Sequence, residues 1–76
     1  MKFKCKNIRK LRADSEMTQQ ELMKSLRKHR VNVTLKTIQN WEHGVHIPNA
    51  ECLAAMAMIF GVSVTIFFDR LKYNTK

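Results

Sequence analysis

The sequence predicts an all-α domain of five short helices. Apolar residues recur at three- and four-residue spacings in successive short segments. Good N-cap residues, Thr18, Thr34 and Asn49, precede three of those segments, and Gly44 and Gly61 stand where the third and fourth must stop. At 76 residues the chain is one domain, large enough for a single core and too small for a buried catalytic cleft. It reads as a core over about 7–68 with a basic N-terminal arm at 1–6 and a tail at 69–76.

The first helix is predicted over 7–14, with Ile8 and Leu11 as its inner stripe beside Arg9, Lys10 and Arg12. The second opens at Thr18 with TQQE, where the Thr18 hydroxyl and the Glu21 carboxylate can cap each other's amides, and runs through Leu22, Met23 and Leu26. Gln19 and Gln20 then sit at a helix N-terminus, whose free amides and positive dipole end favour a phosphate.

The third helix, 34–43, is the most informative stretch. At about 100° per residue, Ile38 and Trp41 fall on one side with Leu35 and Glu42 near them. Lys36, Asn40 and His43 fall opposite, flanked by Thr37 and Gln39. Any surface helix has a polar face, so this pattern alone fits solvation as well as it fits DNA reading. The fourth helix is entered through Pro48 and Asn49, runs through Leu53, Ala54, Met56, Ala57 and Ile59 to Phe60, and is apolar nearly all round, as a core helix should be. The fifth starts after Ser63, with Val64, Ile66 and Phe67 or Phe68 closing the end of the core; the β-branched run at 62–66 suits a strand equally. Met17, Met23, Met56 and Met58 read as core filling and Trp41 as a packed residue.

The net charge of +8 is unevenly spread. Residues 1–30 hold ten Lys or Arg against three Asp or Glu, a balance of +7, while residues 31–69 hold one against three. Such a face suits a polyanion, although basic charge alone also serves solubility. Nucleic acid is favoured over a membrane, because no basic helix has an opposite aromatic and leucine face and the apolar run 52–62 is too short to span a bilayer. No apolar signal segment follows the basic start, and Cys5 and Cys52, far apart and without a CxxC partner, read as reduced thiols of a cytoplasmic protein. His43 and His46 have HxxH spacing, but Gly44 and Pro48 break the helix there, so neither a metal nor any other cofactor is expected. No nucleophile and base stand at usable spacing, and no enzyme is expected.

Four segments, IRKLR at 8–12, MTQQEL at 17–22, VTLKTIQNWEHG at 33–44 and IPNAECLAAMAMIFGVSV at 47–64, resemble in order and spacing the helix-turn-helix proteins of the phage repressor and Cro type, the XRE-like family. The resemblance implies a five-helix repressor-like domain with 18 to about 29 as the positioning helix and 34–43 as the recognition helix. It implies that Lys36, Thr37 and Asn40 read base edges. Leu35 either reads with them, against a thymine methyl, or packs on the second helix. By chemistry Lys suits guanine O6 and N7, Asn suits adenine N6 and N7, and Thr offers a hydroxyl and a methyl. Gln19, with Thr18, is implied to hold a phosphate and can reach a base edge, and Lys28, Arg30, His43 and His46 are placed as further phosphate contacts. Arg12 is implied to pair with Glu42.

The chain departs from the family between the second and third helices. A glycine and one small apolar residue usually separate them, whereas RKHRVN here follows Leu26 before Val33 and Thr34, a turn about five residues longer. Arg27, Lys28, His29 and Arg30 either extend the second helix or form a basic loop, which touches phosphates or an acidic protein. The expected function is a DNA-binding repressor or Cro-like switch of phage, plasmid or other mobile-element origin. Its expected form is a homodimer on a palindromic operator, with Phe67, Phe68, Leu71 and Tyr73 as the dimer surface. The alternative is a module of the same fold that binds another regulator, as an antirepressor or antitoxin-like partner.

Overall fold

A computed structural model describes residues 2–68. Four α-helices, α1 (Cys5–Asp14), α2 (Gln19–Lys28), α3 (Leu35–Glu42) and α4 (Ala50–Phe60), are followed by a single turn of 3-10 helix at Val64–Phe67. The predicted fifth α-helix is therefore corrected to that one turn. Ser63 caps it by accepting from the Thr65 amide, and Phe68 leaves it with extended dihedrals to pair with Phe3 in an isolated antiparallel bridge. This tertiary pairing ends the helix after four residues.

The same seam explains why α1 starts at Cys5, two residues before the expected Asn7. The Lys4 amide donates to the Phe67 carbonyl at 2.7 Å, and Asn7 Nδ2 donates to the Ile66 carbonyl at 2.6 Å. The Phe3 and Phe68 rings meet edge to face with centroids 6.1 Å apart. Phe3 and Lys4 thus belong to the packed fold rather than to an arm.

The other helices begin where side-chain chemistry starts them. Thr18 and Glu21 form the reciprocal capping box, Thr34 accepts from the Thr37 amide at 3.1 Å, and Asn49 Oδ1 accepts from the Cys52 amide at 2.9 Å. All four helices end alike. A residue at positive φ turns the chain, and the amide after it reaches back five residues: Met17 to Arg12, Val31 to Leu26, Val45 to Asn40 and Val62 to Ala57, at 2.8–3.0 Å. The turning residue is Gly44 (φ 76) after α3 and Gly61 (φ 67) after α4, but Glu16 (φ 54) after α1 and Arg30 (φ 65) after α2.

Ile8, Leu22, Leu26, Ile38, Met56 and Phe67 are fully buried and form one cluster with Trp41, Cys52, Leu53 and Ala55. Every element contributes to it. Three expectations about the core are corrected. Met58 is 69% exposed, so α4 is not buried all round: Ala54 and Met58, four residues apart, share an outward stripe. Val64 and Ile66 are also exposed, because a 3-10 turn of four residues directs only Phe67 fully inward. Phe67 is consequently spent on the core and is no free dimer contact. Leu71 and Tyr73 lie outside the described residues.

Candidate nucleic-acid interface

On α3, Ile38, Trp41 and Glu42 are buried, Leu35, Thr37, Gln39 and Asn40 are half-buried, and Lys36 is exposed, as is the cap residue His43. Lys36 and Asn40, four residues apart, share the outward face. The Thr37 hydroxyl lies 3.0 Å from that of Thr34 and is shared with the cap. Leu35 is among the half-buried residues, at the margin between the two faces.

Glu42 is charged and buried, and three helices converge on it. Arg12 Nε donates to Oε2 at 2.8 Å and Nη2 to Oε1 at 3.0 Å, while Gln19 Nε2 donates to Oε1 at 3.2 Å. The remaining Arg12 nitrogen, Nη1, donates to the Met17 carbonyl at 2.9 Å. The side chains of Arg12 and Glu42 are 16% and 3% exposed. The hydrogen bond to Glu42 holds the Arg12 guanidinium above its ordinary pKa, with burial acting against it. Among the described residues no buried side-chain nitrogen or oxygen lacks a hydrogen bond. A two-pronged, largely desolvated pair of this kind contributes orientation more than net stability. What it orients is the last turn of α3 against α1 and the start of α2.

A groove of about 440 Å³ opens over this cluster, lined by Arg9, Arg12, Thr18, Gln19, Glu42 and His43. The capping box occupies the Thr18 and Glu21 amides, and the Gln19 and Gln20 amides have no helical carbonyl to donate to. Of the sequence-derived phosphate contacts, Thr18, Gln19 and His43 are brought together here. His46 is exposed in the α3–α4 connection. Lys28 and Arg30 are at the other end of α2, nine residues of helical rise or about 14 Å from Gln19. Arg9 is the member of the groove that sequence reasoning left out of the site, although its position one turn before Arg12 puts the two on one face. The connection from α2 to α3 runs over 29–34: Arg27 and Lys28 extend α2 past Leu26, and His29 and Arg30 begin the lengthened connection, so the two expected forms divide the basic segment between them.

A capped outward helix, a preceding helix whose N-terminus adjoins it, and a buried clamp between them define a helix-turn-helix domain. Residues 8–67 match the helix-turn-helix family model, and the chain belongs to that family, in its XRE and Cro type, whose domains bind DNA. No curated protein and no solved structure matches it significantly. Among the described residues no helix is long and apolar enough to cross a membrane.

Proposed function

We propose that the protein is a sequence-specific regulator of transcription, a repressor or Cro-like switch, that reads the major groove of duplex DNA with α3. The observation that carries this reading is the clamp. Arg12 and Gln19 fix Glu42 at one end of α3, the Thr34 cap fixes the other, and the face between them offers Lys36 and Asn40. Lys36 suits a guanine and Asn40 an adenine, with Thr37 and Leu35 at the margins of the reading face. Thr18, Gln19, His43 and His46 hold phosphates, joined by Arg9, while Lys28 and Arg30 reach phosphates flanking the site.

One such helix reads only a few base pairs, so the active form is a homodimer on two half-sites about one helical turn apart. Val64 and Ile66, exposed on the 3-10 turn beside Phe68, replace Phe67 as its candidate surface. Selection from a random duplex library at physiological salt tests the reading. The expected product is a palindrome with half-sites roughly 10 base pairs apart, bound about tenfold or more weakly after Lys36→Ala or Asn40→Ala. Failure to enrich any sequence sinks it and favours the antirepressor-like alternative.

A further inference from the structure

Met58 has more of its surface exposed than any other large apolar side chain described, and it is not isolated. With Val31, Ala54 and Ala55 it floors a groove of about 380 Å³ between α4 and the connection that follows α2. His29 and Arg30 stand on one rim and Glu51 on the other. The lengthened connection makes this groove. Arg30 turns the chain at φ 65, the Val31 amide returns to the Leu26 carbonyl at 2.9 Å, and the Val31 side chain packs against the core beside α4. Arg27 and Lys28 are exposed on the adjoining last turn of α2. Among the described residues, Arg27, Lys28 and Arg30 have no ion-pair partner, and Glu51 is the one carboxylate lining the groove.

We infer that this groove docks a short acidic segment of a partner protein, which seats an apolar side chain on Ala54 and Met58 and sets Asp or Glu against the basic rim. Charge complementarity selects that occupant. A second copy of this chain brings the same net charge of +8, and its most exposed connecting apolar residues, Val45 and Ile47, flank His46 rather than any carboxylate. A duplex satisfies the cations but leaves the apolar floor bare. The groove lies at the opposite end of α2 from Thr18 and Gln19 and shares with the DNA-reading proposal only the flanking cation Arg30.

The test is a displayed library of random peptides, each about a dozen residues long, selected on the intact chain with counter-selection on Met58→Asp. Enriched peptides are expected to combine a large apolar residue with two or more Asp or Glu. A synthesised winner should lose about tenfold in affinity or more with Met58→Asp or Ala54→Gln, tighten with Glu51→Gln, and shift amide resonances only around 29–31 and 51–58. Both main variants are at exposed positions, and circular dichroism confirms their folding; Ala54→Gln, which adds no charge beside Arg30, should leave duplex binding unchanged. No enrichment, winners without acidic residues, or equal binding to the folded Met58→Asp protein overturns the inference. So does a dimer that Met58→Asp converts to monomer, which makes the occupant a second copy.

Discussion

Glu16 and Arg30 carry side chains where the backbone is left-handed, while the equivalent closures of α3 and α4 use glycine. A Cβ in that conformation costs roughly 1–2 kcal/mol, and the extra freedom of glycine in the unfolded chain returns about 0.5–1 of it. Glu16→Gly and Arg30→Gly should therefore each stabilise the fold by up to about 1 kcal/mol in urea melts. At Arg30 the gain should come with weaker binding to any anionic partner, since a cation is removed; a melt unchanged or lowered by both glycines refutes the strain. Gly44→Ala should cost more than Gly61→Ala. Both incur the left-handed penalty, but a Cβ at Gly44 also meets Cys5 Sγ at 3.3 Å, whereas none of the described atoms lies within 4 Å of one at Gly61. Cys52 differs again. Burial pushes its thiol pKa up, so the folded state keeps a proton that the unfolded state loses. The stability this contributes is fully present below the unfolded thiol's range, about 8.5, and is lost as pH rises through the higher folded value. A Cys52→Ala protein whose stability declines above that pH as steeply as the parent's would count against this linkage.

The clamp on α3 makes a sharper demand on stability. Removing the Glu42 carboxylate leaves the Arg12 guanidinium and the Gln19 amide without their partner, so Glu42→Ala should destabilise the protein by about 3 kcal/mol. A melting temperature unmoved by that substitution rules the clamp out. The helices around it differ in how far they could be read in advance. α2, α3 and α4 were legible to within a residue or two because each start is local chemistry: a Thr or Asn cap whose amide partner lies three residues on. The start of α1 and the form of 64–67 depend on each other across some 60 residues, and no local pattern encodes that seam. The outward face of α3 was legible from its period. The outward stripe of α4 was not, because every residue at 52–60 is apolar and only the packing of α2 and the 3-10 turn against one side decides which of them face water.

Net charge acts across the entire fold. Seven of the eight net positive charges are in residues 1–30, and Arg27, Lys28 and Arg30 cluster beyond the reach of the groove at the start of α2. Alanine at those three positions distinguishes their uses. For each phosphate that is no longer neutralised, the slope of log affinity against log salt should flatten by about 0.9, equally for all duplexes. An unchanged slope removes the cluster from the phosphate contacts. The bridge between Phe3 and Phe68 carries a different consequence. The beginning and end of the packed chain meet at one point, so its backbone is nearly a closed ring. A short linker should join the two ends, and new termini opened in the 29–33 connection should give a circular permutant with the same core. Anything joined directly before Phe3 or directly after Phe68 emerges from that same point, and two such fusions will report on each other's proximity before they report on DNA.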